Sequence, residues 1–139
     1  MGNGRPDPVF RVSCGNGKRK MAVFEDPNCG YCKRFERDLQ SVNDVTVHLF
    51  LYPVLGADSV EKNKNPWCAK DRSKAWQDAM VRHMPIVKAT CDASAVDRNW
   101  SFGTKYKITG TPTIFFADSS RVPGAISAAQ VEKFLAEAR

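Results

Sequence analysis

Two cysteines separated by two residues, Cys29 and Cys32, are the side chains in this sequence best suited to chemistry. The apolar run 21–24 predicts a strand before them, and residues 33–40 predict a helix after them. A cysteine at a helix N-terminus lies where free N–H groups and the positive end of the helix dipole stabilise an anion. The pKa of such a thiol is lowered, and the thiolate is its reactive form. The spacing therefore predicts a thiol–disulfide exchange site, with Cys29 as the nucleophile.

Two other uses of a Cys-x-x-Cys pair remain open. The first is half of a zinc site, but zinc ribbons bring a second such pair or two close histidines. Here Cys68 and Cys91 stand alone in the sequence. The two histidines, His48 and His83, are not at ligand spacing either. The second is a purely structural disulfide, which does not need a position at the start of a helix. We expect no metal and no cofactor.

Length and composition limit the function classes. The chain has 139 residues, which suits one domain with its own core. Hydrophobic residues make up 42% of it, and no apolar run is long enough to span a membrane. The net charge is +6, but the basic residues are scattered and do not form a stripe with aromatic partners. We therefore expect neither membrane insertion nor nucleic-acid binding.

The cysteine count is odd, because the chain has five. The useful partition pairs Cys29 with Cys32 and Cys68 with Cys91, and leaves Cys14 as an incidental surface thiol. A second, widely spaced pair predicts an oxidising compartment. The sequence begins without an apolar signal segment, so we interpret it as a mature or trimmed chain.

The order of the predicted elements indicates the fold class. Residues 1–8 predict a flexible lead-in, and strands at 9–12 and 20–24 around the turn at 14–17 predict a β-hairpin. A third strand is predicted at 45–52, where β-branched and aromatic residues follow one another. The chain begins as βαβ and ends as ββα. This order predicts an α/β fold with a central mixed sheet flanked by helices.

A helical insertion, at about 53–97, is predicted between the two halves. Residues 53–65 have a mixed composition that predicts a loop. Asn65 as N-cap and Pro66 at the first helical position then predict a helix over 67–83. Proline suits that position because the first N–H of a helix has no partner inside the helix.

The C-terminal part predicts a helix, two strands and a final helix. The helix is expected at 95–106 and the first of the strands at 114–117. Ser127 and Gln130 form a capping box that predicts a helix beginning at about residue 128. We find no internal repeat and no low-complexity segment.

This pattern resembles the thioredoxin fold and, more narrowly, the DsbC/DsbG disulfide isomerases of the bacterial periplasm. Residues 24–32 (Phe-Glu-Asp-Pro-Asn-Cys-Gly-Tyr-Cys) are similar to the active-site segment of that family. The segments around Cys68 and Cys91 are similar to those of its second, structural disulfide. Residues 110–112 (Gly-Thr-Pro) resemble its cis-proline loop, and 122–124 (Val-Pro-Gly) its late turn. The Gly-Tyr dipeptide favours DsbC over thioredoxin and DsbA.

The resemblance implies a thioredoxin-like catalytic domain over residues 9–139. It also assigns residue roles: Cys29 and Cys32 are catalytic; Gly30, Tyr31 and Asp26 support the active site; Thr111 and Pro112 bind substrate; Cys68 and Cys91 form the structural disulfide. Gly30 is expected to allow a tight turn before the helix, and Asp26 to cap that turn. Tyr31 is expected at the rim of the site, either to contact substrate and tune the site or as a passive exposed aromatic residue.

The activity implied is that of a thiol–disulfide oxidoreductase, an isomerase or reductase of misoxidised secreted proteins. The expected location is the periplasm of a Gram-negative bacterium, and the expected reductant is a membrane protein of the DsbD type. Nothing before residue 9 matches the dimerisation domain of the family. We expect a monomer as given, and a dimer if the full-length protein has that domain. A DsbA-like thiol oxidase and a non-catalytic peptide-binding module remain alternatives.

Overall fold

The computed structural model describes residues 7–12 and 16–138. It consists of a mixed β-sheet flanked by helices. The strands are β1 (Val9–Val12), β2 (Arg19–Glu25), β3 (Val45–Leu51), β4 (Thr113–Phe116) and β5 (Arg121–Pro123). The helices are α1 (Gly30–Leu39), α2 (Ala57–Cys68), α3 (Arg72–Met80), α4 (Ser94–Lys105) and α5 (Ala128–Glu137). This order confirms the predicted thioredoxin-like α/β fold, with three helices between the βαβ and ββα parts. Cys14 and residues 1–6 of the expected lead-in lie outside the described residues.

Strand β2 lies at the centre of the sheet, whose order is β1-β3-β2-β4-β5. It pairs in parallel with β3 and antiparallel with β4, so that Val23 lies between Leu49 and Ile114. The predicted hairpin of the first two strands is wrong, because β1 pairs antiparallel with β3, with Val9 opposite Leu49. Both edges of β2 are already occupied by other strands. The first strand therefore takes the outer edge of β3.

One face of the sheet packs against α1 and α5. Met21 and Val23 of β2 form a buried cluster with Phe35 of α1. On the same side, the rings of Phe116 in β4 and Phe134 in α5 stack with their centroids 5.0 Å apart. This packing fixes α1, and with it the two cysteines at its start, above the C-terminal end of β2.

The opposite face packs against α4 around Phe24. The ring of Phe24 lies 4.8 Å from that of Phe50, 5.5 Å from that of Tyr52 and 6.0 Å from that of Phe102. Gly103 lets α4 approach closely, because a Cβ atom there would lie 2.2 Å from the Tyr52 ring. Successive residues of a strand point to opposite faces. Val23 and Glu25, the neighbours of Phe24 in β2, therefore point to α1, whereas Phe24 points to α4.

The helical insertion differs from its prediction. The single helix expected over 67–83 is two helices, α2 and α3, separated by a short turn. Asn65 and Pro66 do not begin a helix, since both lie near the end of α2. The N-cap of α3 is Asp71, whose carboxylate accepts a hydrogen bond from the Lys74 backbone N–H at 3.0 Å.

The sequence did not predict the first two turns of α2, because the buried face of this helix carries polar residues. Ser59, Asn63 and Trp67 follow one another at four-residue spacing, and all three are buried. Only the last of them is apolar, so an apolar repeat of helical period is not visible in the sequence. Gly56, with φ of 112°, immediately precedes α2 and lets the chain turn sharply into the helix. The sequence predicted only a loop here.

Candidate active site

The sulfur of Cys29 caps the N-terminus of α1. Cys29 is the N-cap residue, with extended backbone, and its Sγ accepts a hydrogen bond from the Cys32 backbone N–H at 3.1 Å. The sulfur thus replaces the side-chain oxygen that usually satisfies a free N–H of the first turn. Cys29 is buried, with 6% of the residue exposed.

These contacts favour the thiolate of Cys29. Its pKa is lowered from 9.0 to about 6, and the largest cause is the hydrogen bond from the Cys32 side chain. Burial opposes this effect because it removes water from the anion, whereas hydrogen bonds from the Thr111 side chain and from the Cys32 backbone N–H add to it. The arrangement gives an ionised sulfur at neutral pH.

Cys32 has the opposite character. It is fully buried in the first turn of α1, and both it and Cys29 are free thiols. The pKa of the Cys32 thiol is strongly raised, first by burial, then by its hydrogen bond to Cys29, then by the negative charge of Glu25. The pair therefore consists of one ionised thiol that keeps a small exposed area and one protonated thiol that keeps none.

The pH dependence of alkylation tests this assignment. We expect the rate of iodoacetamide reaction at Cys29 in the reduced protein to have a midpoint near pH 6. A lowered pKa means that the thiolate persists above that pH and is lost as the pH falls through it. Cys32→Ala should move the midpoint upward, because it removes the largest cause of the shift. Peptide mapping at each pH identifies the labelled residue; a midpoint near 8.5, as in free cysteine, would contradict the assignment.

The loop before β4 lies against the Cys29 sulfur. The Cys29 thiol donates a hydrogen bond of 3.4 Å to the Thr111 carbonyl, and the Thr111–Pro112 peptide bond is cis. The hydroxyl of Thr113 donates to the Gly110 carbonyl at 2.7 Å, and the Gly124 N–H donates to the Pro112 carbonyl at 2.7 Å. The structure thus brings the cysteine motif and the proline loop together, although they are about 80 residues apart in the sequence.

Asp26 holds the turn that leads into α1. Its carboxylate is fully buried and accepts three hydrogen bonds, from the Asn28 N–H at 2.8 Å, the Leu55 N–H at 2.9 Å and the Ser59 hydroxyl at 2.8 Å. The first of these caps the turn, as expected from the sequence. The other two tie the turn to α2 and to the residues before it, which sequence reasoning did not predict.

The two residues between the cysteines have simple surroundings. Gly30 is the first residue of α1, its φ is not positive, and a Cβ atom there would meet nothing within 4 Å. Neither observation requires glycine at this position. The chain turns earlier, where the Cys29 N–H donates to the Asp26 carbonyl at 3.1 Å. Tyr31 is 67% exposed beside the pair.

Glu25 is the residue near the site that sequence reasoning missed. It is the last residue of β2 and is fully buried. Its burial could have been predicted from its position two residues after Val23, because alternate residues of a strand face the same side. An ionisable side chain on the face that packs beneath α1 lies where it can act on Cys32.

A disulfide bond joins Cys68 to Cys91, with an S–S distance of 2.03 Å and Cα atoms 5.5 Å apart. It links the last residue of α2 to the segment that precedes α4. Two further observations concern only the part of the chain that the structure describes. It has no group of three or more His, Cys, Asp or Glu side chains placed to hold a metal ion. It also has no helix with the length and apolarity needed to cross a bilayer.

Comparison with known proteins gives the family. A family model described as a thioredoxin-like domain matches residues 7–139. The probable thiol:disulfide interchange protein DsbC of Bordetella pertussis is 48% identical over 118 residues, which cover 85% of this chain and 42% of that protein. The thiol:disulfide interchange protein DsbC of Escherichia coli K12 is 33% identical over 124 residues, or 86% of this chain and 52% of that protein. The chain thus spans about half the length of the curated relatives it matches.

Solved structures agree with this assignment. The disulfide interchange protein of Neisseria gonorrhoeae superposes with a TM-score of 0.87 at 36% identity, and the match covers 94% of both chains. The catalytic domain of Proteus mirabilis ScsC has a TM-score of 0.77 at 23% identity, which shows a common fold alone. This chain therefore belongs to the thioredoxin-like domain family and, within it, to the group of the DsbC disulfide interchange proteins.

Proposed function

We propose that this chain is a thiol–disulfide oxidoreductase domain that isomerises or reduces disulfides of misoxidised secreted proteins. The observation that supports the proposal most directly is the pair of cysteines with opposite ionisation. Cys29 is the one with the lowered pKa and the one of the two that keeps some exposed surface. An ionised, reachable sulfur above a buried thiol is what a two-step exchange reaction requires.

The first step forms a mixed disulfide. The Cys29 thiolate attacks one sulfur of the substrate disulfide, an S–S bond forms between them, and the other substrate sulfur leaves with the electron pair. Two routes then release the substrate. In isomerisation, another substrate thiolate attacks the mixed disulfide and Cys29 leaves as a thiolate. In reduction, Cys32 attacks Cys29, so that the two cysteines are oxidised and the substrate is reduced.

The surroundings of Cys29 suit a polypeptide substrate. A groove of about 450 Å³ is lined by Pro27 and Asn28, the two residues before Cys29, and by Lys33 and Met84. On another side, the backbone of Thr111 adjoins the sulfur and can pair with an extended peptide. Within this proposal, Thr111 and Pro112 contact substrate.

The cellular setting is part of the same proposal. The substrates are unfolded or misoxidised polypeptides in the periplasm of a Gram-negative bacterium. A membrane thiol reductant of the DsbD type restores the dithiol after each reduction. The chain as given is a monomer, and it dimerises in a full-length protein that has an N-terminal dimerisation domain. A stable disulfide in the same chain, Cys68–Cys91, is compatible with an oxidising compartment.

Insulin reduction and refolding of scrambled ribonuclease test the proposal together. We expect the chain to catalyse insulin reduction by dithiothreitol and to restore ribonuclease activity in a glutathione buffer. The physical reason is that the Cys29 thiolate attacks disulfides at neutral pH, where most free cysteines are protonated. The measurements are turbidity for insulin and substrate cleavage for ribonuclease. No turnover in either assay would contradict the proposal and favour a peptide-binding module.

The redox equilibrium separates a reductase or isomerase from an oxidase. The fraction of Cys29–Cys32 disulfide is measured against the ratio of reduced to oxidised glutathione, by thiol trapping. A potential near that of protein disulfide isomerase, at about −180 mV, or lower suits isomerisation and reduction. A value near −120 mV, as in a strong thiol oxidase, would favour the DsbA-like alternative.

A further inference from the structure

The groove beside the cysteine motif carries positive charge. It is lined by Lys33 of α1, Lys62 of α2 and His83 of the segment that follows α3. None of the side chains that line it, all within the described part of the chain, is acidic. The remaining lining residues are uncharged, and Met84 and Ile86 among them supply apolar surface. Such a groove suits a peptide segment that carries a carboxylate.

Lys33 brings an unpaired charge to the residue directly after the cysteine motif. Its backbone N–H donates to the Cys29 carbonyl at 3.1 Å, so the residue lies one helical turn from the nucleophile. The residue is half-buried. Its side chain forms no hydrogen bond or ion pair with the residues that the structure describes. An ammonium group without an internal partner is available to a substrate.

Asn28 holds the second ammonium group at the groove. Lys62 Nζ donates to Asn28 Oδ1 at 2.9 Å and lies 3.1 Å from the Asp58 carboxylate. Asn28 also donates to that carboxylate at 2.9 Å. These contacts fix Lys62 against the residue that precedes Cys29, although Asp58 offsets part of its charge. The uncompensated charge of the groove is therefore greater at Lys33.

We propose that Lys33 and Lys62 select substrate segments with an acidic side chain close to the cysteine that Cys29 attacks. This inference rests on the function proposed above and adds a substrate class to it. An extended peptide advances about 3.3 Å per residue, so a side chain two residues from the bonded cysteine lies about 7 Å along the peptide. The long, flexible lysine side chains can reach a carboxylate there. Complementary charge contributes mainly to the rate and specificity of such an encounter.

Three peptides, each with one cysteine in a disulfide with pyridine-2-thiol, test the proposal. The first peptide has glutamate two residues before and two residues after the cysteine, and the second has glutamine at both positions. The third has the two glutamates at its ends, so its net charge equals that of the first. The leaving group is the same for all three peptides, so they differ only in the number and position of their charges.

The measured reaction is the first step of the exchange. The Cys29 thiolate attacks the peptide sulfur, an S–S bond forms between them, and the pyridine thiolate leaves with the electron pair and takes a proton from water. Stopped-flow absorbance of the released thione gives the second-order rate constant. The parent protein for all variants is reduced Cys14→Ser, which removes the thiol outside the motif.

At low ionic strength we expect the first peptide to react about fivefold faster than the second. It should also react faster than the third. Equal rate constants for the first and third peptides would indicate attraction to the net charge of +6 and not to the groove, and would overturn the proposal. The preference should shrink as salt is added, because exposed charges are screened over about 10 Å at 0.1 M ionic strength.

Substitution of the lysines locates the effect. Lys33→Gln and Lys62→Gln should each lower the ratio of the first two rate constants, with the larger change at Lys33 because Asp58 already offsets Lys62. Lys33→Glu should make the glutamine peptide the faster of the two. A ratio isolates selectivity from a change in thiolate reactivity, since both peptides meet the same thiolate.

Arg34→Gln is the matched control for Lys33→Gln. It removes the same charge from the next residue of α1, which is exposed and does not line the groove. Its ratio should equal that of the parent protein. An equal loss of preference in Arg34→Gln and Lys33→Gln would overturn the role of the groove, since it would reflect loss of any positive charge near the start of α1.

Two further results keep the test decisive if a change at Lys33 disturbs folding, which near-ultraviolet circular dichroism detects. Lys62→Gln and the salt dependence of the parent protein test the same groove without altering α1. Lys33→Arg retains the charge, and a loss as large as in Lys33→Gln would overturn the electrostatic argument. Equal rate constants for the first two peptides in the parent protein would overturn the selectivity but leave the exchange reaction intact. Absence of thione release from all three would overturn the proposed function as well, so the two failures are distinguishable.

Discussion

Cys29→Ser is expected to abolish insulin reduction and to prevent any mixed disulfide with substrate. The serine hydroxyl has nearly the same size as the thiol but cannot form an S–S bond. Cys29 is the sulfur that the first turn of α1 and Thr111 stabilise as a thiolate. Turnover should fall to the uncatalysed background, measured by insulin turbidity and by mass spectrometry of trapped adducts.

Cys32→Ser should behave differently from Cys29→Ser. Cys29 remains reactive in this variant, but the internal thiol that releases the substrate is missing. We expect the mixed disulfide to accumulate, and non-reducing gel electrophoresis measures it. Ribonuclease refolding should lose less activity than insulin reduction, because isomerisation can be completed by a substrate thiol.

Cys14→Ser is the matched control for both variants, because it removes a thiol outside the Cys-x-x-Cys motif. It should retain wild-type turnover and should form no lasting adduct. Equal losses in Cys29→Ser and Cys32→Ser with no adduct in either would mean that the roles are not divided as assigned. Accumulation of the adduct in Cys29→Ser would reverse them.

The active-site segment was predictable from the sequence because it is local. A strand, a turn and a helix in succession place Cys29 at the helix start whatever the rest of the fold does. The capping box at α5 was likewise predicted, and the structure confirms it at Ser127 and Gln130. In both cases the interacting groups lie within a few residues of each other.

The features that were missed depend on contacts between distant residues. The hairpin prediction used the turn at 14–17, but β1 gains its partner in β3, more than 30 residues away. Helix α2 buries Ser59, whose hydroxyl bonds Asp26, so its buried face is satisfied by a polar tertiary contact and shows no apolar repeat. Glu25 has the sequence appearance of a strand-ending surface residue. Its burial follows from the packing of α1 on this face of the sheet, which no local pattern specifies.

Removal of the Cys68–Cys91 disulfide is expected to produce the largest loss of stability. The bond closes a loop between residues 23 apart, and the chain-entropy relation gives a contribution of about 3.5 kcal/mol to the free energy of unfolding. The physical reason is that the crosslink restricts the unfolded chain more than the folded one. Replacing both cysteines by serine should lower the melting temperature by on the order of 10 °C, measured by calorimetry in an oxidising buffer.

The same double variant should keep the chemistry of the active site. The disulfide joins the end of α2 to the segment before α4, whereas the pKa of Cys29 is set by Cys32 and Thr111. We therefore expect an unchanged pH midpoint for Cys29 alkylation at a temperature where the variant is folded. Cys14→Ser serves again as the control for cysteine replacement, and its melting temperature should match the wild type. A double variant as stable as wild type would contradict the loop-closure argument. A shifted alkylation midpoint would instead show that α2, which holds Asp26 through Ser59, transmits the loss to the turn before Cys29.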